Sequence, residues 1–135
     1  YRSRLSGPLL DRFDLQVEVP ALAFEEISGV SRGESSAAVR ERVIRSRRVQ
    51  AERFVGQPEP RVNARMPASH METFCVIDAT GKNLLRQAMR SFGLSARAHD
   101  RILKMARTIA DLAGSEEIRA EHVAEGVQYR CLDRE

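Results

Sequence analysis

GLSARAHDRILKMARTIADLAG, residues 93–114, reads as a helix that carries an arginine at its start. Ser95 is a good N-cap residue, because its hydroxyl can accept a hydrogen bond from a first-turn N–H that has no partner within the helix. Ile102, Ala106, Ile109 and Ala113, with Leu103 and Ala110 beside them, recur at helical spacing and form one apolar face. Gly114 ends the helix. Arg97 falls in the first turn, where the macrodipole already carries partial positive charge and disfavours a cation by up to about 1 kcal/mol. Free N–H groups and a guanidinium together suit an anion such as phosphate. An arginine pointing into water fits the same pattern, and the helix alone favours that plainer reading.

On the N-terminal side, Phe92-Gly93 turns the chain out of a helix expected from about Thr80 to Ser91, with Leu84, Leu85, Ala88 and Met89 inward. A shorter helix is expected around Ala68 to Val76, after an irregular stretch from Val62 to Met66 and a linker marked by Pro58 and Pro60. On the C-terminal side, a last helix runs from about Arg119 to Cys131 with Val123 and Val127 inward; Gly126 weakens it. From Ser35 to about Phe54 another helix is expected, its apolar side formed by Val39, Val43 and Phe54 with Ile44 and Ala51. Arg40, Arg42, Arg45, Arg47, Arg48 and Arg53 cover most of the rest. Such a helix invites a DNA-binding reading, with Arg40, Arg45, Arg47 and Arg48 as contacts. Glu41 and Glu52 dilute the charge, so a solvated face is the stronger reading.

Nearer the start, Gly7-Pro8 breaks the chain and Pro8 suits the first position of a short helix, PLLDRF. Leu15, Val17 and Val19 then alternate with Gln16 and Glu18, and Pro20 closes a run that predicts a half-buried strand. A lone strand is not stable, so its sheet neighbours are expected outside this chain or in another copy. Ser28-Gly29 and Arg32-Gly33 mark residues 21–33 as a linker. The fold class is therefore mainly α: a helical bundle over residues 34–135, preceded in residues 1–20 by a short helix and strand left over from an α/β unit.

Composition sets outer limits. The chain has 135 residues, 42% hydrophobic and 30% charged, an ordinary globular balance rather than a disordered one. No apolar run is long enough for a membrane span, and no signal peptide opens the chain. Net charge is +3, yet 20 of the 22 basic residues are arginines; Lys82 and Lys104 are the lysines. Arginine binds phosphate through a bidentate fork that lysine lacks, so particular arginines carry the argument. With no Trp, two Tyr and five Phe, a base-stacking platform for single strands has little support. Cys75 and Cys131 have no partners at ligand spacing and read as reduced cytoplasmic thiols.

Enzyme sites within the chain find little support. His70, His99 and His122 are scattered, and His70 with Cys75 has no second pair, so no metal site is expected. Asp11, Asp14 and Glu18 could hold a cation or act as acid and base, although carboxylates so placed more often cap turns or pair with arginine. Ser95 and His99 stand at helical spacing, but Ser95 serves as the cap and no third member is in sight. Gly81-Lys82 lacks the upstream glycine and the following hydroxyl residue of a phosphate loop.

The run RSRLSGPLLDRFDL, then GLSARAHDRILKMARTIADLAG and the ending IRAEHVAEGVQYR, resembles the C-terminal part of the magnesium-chelatase-like AAA+ ATPases. Within that group it is most similar to the competence-associated ComM/YifB type, thought of as hexameric branch-migration helicases. The resemblance covers nearly the whole chain. It implies that residues 1–20 end an ATPase core and that residues 34–135 are its all-α lid. Arg12, the arginine of LLDRFD, is similar in role to an arginine finger that reaches the γ-phosphate held by a neighbouring subunit. Arg97, the arginine of SAR, resembles the sensor-2 residue and would contact phosphates within its own subunit; Asp11 would orient Arg12 or bridge subunits. ATP and Mg²⁺ are then cofactors of an intact parent protein and none is expected for this chain alone, because the Walker A, Walker B and sensor-1 residues would precede Tyr1. The implied partners are further copies in a ring, with DNA as substrate. The alternatives are the ATPase subunit of a porphyrin magnesium chelatase and a non-enzymatic helical DNA-binding or interaction module.

Overall fold

A computed structural model describes Leu9 and residues 12–21, 33–59 and 61–131. Five α-helices and one short 3-10 turn make up the described architecture: α1 (Ser36–Arg53), the 3-10 turn (Asn63–Arg65), α2 (Ala68–Phe74), α3 (Ala79–Phe92), α4 (Ala96–Leu112) and α5 (Ala120–Cys131). Their bounds follow from local chemistry. Ser35, Asp78 and Ser95 each accept a hydrogen bond from a first-turn N–H, from Ala38, Gly81 and Ala98 respectively. Gly114 adopts φ +70°, and the Ser115 N–H reaches the Ala110 carbonyl while the Gly114 N–H reaches that of Asp111. That paired closure is a Schellman motif, and the left-handed residue at its centre is why glycine stops α4.

α4 is the central element and packs on α5, α1, α2 and the 3-10 turn, while α5 also packs on α3. Ala98, Ile102, Leu103, Ala106 and Ala110 are buried as the apolar spacing requires, and they meet Val123, Val127, Leu85 and Met66 in one core. Ile109 is only partly buried and Ala113 is exposed, so the inward stripe is narrower than expected at its C-terminal end. An isolated parallel bridge between Ile77 and Ile118 ties the loop before α3 to the loop before α5.

α1 departs from its expected face. Val39 and Val43 are 39% and 45% exposed, and Ile44 is 51% exposed. The buried positions are Ser46 and Gln50, with Phe54 as the apolar anchor. Val39 and Val43 lie on the line that continues through Ser46 and Gln50, but in the N-terminal half of the helix the bundle leaves that line uncovered. Arg53 also leaves the expected arginine surface. It turns inward, where both its terminal nitrogens bind Asp111 at 2.7 and 2.6 Å.

Gly126 is a packing requirement rather than a weak point. A Cβ there would lie 3.3 Å from the Ile102 carbonyl oxygen, so the missing side chain is what lets α4 and α5 approach. Leu15 to Val19, expected as a strand, form none among the described residues, because a strand needs a partner strand and none is beside them. The segment instead touches α5 at one point, where the Gln16 N–H donates to the Tyr129 carbonyl at 2.9 Å, and Leu15, Val17 and Val19 stay exposed. Half of the PLLDRF stretch, Asp11 included, and most of the expected linker lie outside the described residues.

Candidate functional site

The first turn of α4 is organised as its sequence requires. Ser95 Oγ accepts from the Ala98 N–H at 3.2 Å, which places Arg97 at the second helical position. Arg97 is exposed and has no ion pair or hydrogen bond among the described residues. One turn further along the same helix, Arg101 is engaged. Its Nη1 donates to the Arg12 carbonyl at 2.7 Å and to Asp14 Oδ1 at 2.5 Å. Arg130 on α5, nearly buried, donates to the Phe13 carbonyl. The Arg12 N–H closes a turn onto the Leu9 carbonyl at 2.9 Å.

The backbone from Arg12 to Gln16 is thus held by two guanidiniums and one carbonyl of the bundle, while the Arg12 side chain stays exposed with no partner among the described residues. Two unpaired guanidiniums, Arg12 and Arg97, are presented from elements tied together through Arg101. Chemically they can bind and neutralise phosphate oxygens, with the first-turn N–H groups of α4 beside Arg97. Among the described residues no group of three or more His, Cys, Asp or Glu could hold a metal ion.

Other residues singled out in the sequence lie elsewhere. Arg40, Arg45, Arg47 and Arg48 are exposed on α1, while Arg42 pairs with Glu34. α1 meets α4 through Arg53 and Asp111, near the far end of α4 from Arg97, roughly 20 Å along the axis at ~1.5 Å per residue. Asp14 takes the plainer of its expected roles and pairs with arginine. His122 accepts from the Arg119 N–H at 3.0 Å and so starts α5, while His70 stacks on Phe54. A groove of about 830 Å³ between α2, α3 and α4 is floored by Met71, Cys75, Leu85 and Leu103. Sequence reasoning missed Arg101 and Arg130, because each donates to a backbone carbonyl, which no side-chain pattern reveals, and Asp14, the carboxylate beside Arg101, lies far away in the chain. It also missed Arg107 and Asp111, whose signal was present: charges on the inward stripe of α4.

The family comparison rests on both parts of this arrangement, the bundle and the segment docked to it. A profile described as magnesium chelatase, subunit ChlI C-terminal, matches residues 33–130, and one described as magnesium chelatase, subunit ChlI, matches residues 1–27. The chain belongs to the magnesium-chelatase-like AAA+ family. Among curated members of that family, the competence protein ComM of Haemophilus influenzae is 43% identical over 135 residues, covering 99% of this chain and 26% of that protein. The uncharacterised protein YifB of Escherichia coli is 41% identical over 135 residues, with the same coverage. An uncharacterised protein of Mycobacterium tuberculosis is 35% identical over 131 residues, covering 96% of this chain and 25% of its own length. The chain spans about a quarter of the length of these relatives. The α-helical bundle fits the lid of such an ATPase.

Proposed function

We propose that this chain is the lid end of a ring-forming ATPase that acts on DNA, and that it serves two nucleotide sites. Arg97 would bind phosphates held by its own subunit, and Arg12 would reach the γ-phosphate held by a neighbour. Residues 1–20 would close the ATPase core and residues 34–135 would form the lid, with 21–33 joining them. Asp11 would orient Arg12 or bridge subunits. ATP with Mg²⁺ would be held mainly by residues beyond this chain; when bound, the ion draws charge from the phosphates, and the chain's own part is to neutralise what remains. The observation that carries this reading is the pair of exposed, unpaired guanidiniums on elements tied to each other, in a family of ATPases. The same reading makes the protein cytoplasmic, and no helix among the described residues is long and apolar enough to cross a membrane.

A guanidinium that meets the transferring phosphoryl group contributes about 10³ to 10⁵ in rate. Arg12→Ala in the full-length protein is therefore expected to reduce ATP turnover by about 10³ or more, and Arg97→Ala to reduce it together with ATP affinity. Wild-type turnover in either variant removes that residue's assigned role.

The description of the matching family favours a second reading, in which the motor drives magnesium insertion into a porphyrin. DNA is preferred because a relative 43% identical over 99% of this chain is a protein named for competence. On the DNA reading, Arg40, Arg45, Arg47 and Arg48 are available as phosphate contacts, since they are exposed and unpaired among the described residues. Branched DNA then stimulates turnover, less so as salt rises or when the four arginines are changed to glutamine. Stimulation by porphyrin and indifference to DNA would favour the chelatase.

A further inference from the structure

The contacts that hold residues 12–16 are unusual in kind. Two side chains from two helices donate to consecutive backbone carbonyls, those of Arg12 and Phe13, and a third bond joins Gln16 to Tyr129. Backbone carbonyls are held regardless of which side chain the residue carries, so these bonds fix the position of the turn and leave the Arg12 guanidinium free. Arg101 adds an ion pair to Asp14 from the same nitrogen that holds the Arg12 carbonyl. Its neighbour one turn earlier on α4 is Arg97, and α4 packs closely on the helix that supplies Arg130.

We propose that Arg101 and Arg130 are positioning residues that tie the Arg12 turn, at the end of the core, to the lid, so that a lid rotation sensed through Arg97 shifts Arg12 toward or away from the neighbouring nucleotide. This rests on the reading of Arg12 as the residue that acts across the subunit boundary. It adds a coupling between successive sites of the ring: the phosphate state of one subunit sets the placement of the charge offered to the next. Free energy passes because the two guanidiniums sit on elements hydrogen-bonded to each other, not because they touch.

The test uses the full-length protein and its ATP turnover. A misplacement of about 1 Å at a reacting centre costs roughly 10²-fold. Arg101→Ala is therefore expected to lower kcat by roughly 10²-fold with little change in KM for ATP, since Arg12 contributes in the transition state. Arg101→Lys should recover most of that loss, because one nitrogen makes both bonds and an ammonium can do the same. Asp14→Ala, at an exposed position that touches no core residue, should lower kcat in the same direction by less. Mixed with subunits inactivated at Walker A, which carry intact Arg12 and Arg101, the Arg101→Ala protein should regain part of its turnover.

Loss with Arg12→Ala but wild-type turnover with Arg101→Ala and Asp14→Ala would overturn the coupling and leave the finger reading standing. So would a loss in Arg101→Ala that mixing fails to restore while it restores Arg12→Ala, because Arg101 would then act within its own subunit. Wild-type turnover in Arg12→Ala would overturn both.

Discussion

Asp111 sits in the interior with its carboxylate shared by two guanidiniums and an amide. Arg53 binds it through two nitrogens, Arg107 Nε donates at 3.0 Å and Asn63 Nδ2 at 2.8 Å. Arg107 also donates to the Ser115 and Glu116 carbonyls at 2.8 Å, which ties the end of α4 to the loop before α5. Asn63 in turn donates its backbone N–H to Gln50 Oε1. Removing the one anion leaves two guanidiniums little exposed and uncompensated, so Asp111→Ala should destabilise the chain by about 3–5 kcal/mol. Urea unfolding measures it, and a loss under about 1 kcal/mol would mean the pair is effectively solvated. Cys75 supplies a pH test. Burial pushes its thiol up to about 11. The folded state thus favours the neutral thiol, and its contribution is complete below the unfolded pKa of about 9 and is lost as pH rises toward 11. Stability should fall across that window, and Cys75→Ala should flatten the slope; an equal slope in both proteins would assign it to other groups. At this scale the sequence was only partly legible. The charges at 107 and 111 stand i, i+4 on an otherwise apolar stripe, which marks a buried pair, whereas nothing local says that Arg53 is its third member.

Helix bounds were readable where a helix's own residues enforce them, as in α3 and α4: an aspartate or serine before the first turn, a glycine with positive φ after the last. Faces were less readable where tertiary surroundings decide them. The valines of α1 keep helical spacing, yet the helix runs past the bundle, and its buried half is lined by Ser46 and Gln50 to meet the Asn63–Asp111 network. Leu15 to Val19 alternate as a strand would, but alternation specifies only that two faces differ, not that a partner is present. Gly126 was misjudged for a similar reason, since helix propensity counts only the backbone's own cost. Alanine there would gain up to about 1 kcal/mol of propensity. Against that, its Cβ would press on the Ile102 carbonyl at 3.3 Å and on Ile102 Cγ2 at 3.6 Å. A carbonyl in mid-helix cannot retreat without moving α4, and overpacking of this kind costs about 1–3 kcal/mol. Gly126→Ala should therefore lower stability by about 1 kcal/mol net, read as a reduced urea midpoint at unchanged slope; a raised midpoint would show that the two helices can part without cost.

At the scale of the whole molecule, the chain accounts for about a quarter of its relatives' length, and under the proposed function it is the part that couples nucleotide state to movement. The bundle holds Arg97 at the start of its central helix. The segment before the bundle holds Arg12, bound by its backbone to that same helix and to α5. Family membership was legible from three runs of sequence, but the physical tie between two of them was not, because it is made largely through main-chain carbonyls, with one ion pair between residues far apart in the chain. The most direct test mixes full-length Arg12→Ala protein with protein inactivated at Walker A, each unable to turn over ATP alone. Mixed rings are expected to regain part of the wild-type turnover, since intact arginines of one protein then meet intact nucleotide sites of the other. Mixed rings that stay inactive, or Arg12→Ala rings that turn over ATP unaided, would contradict the proposed role of Arg12.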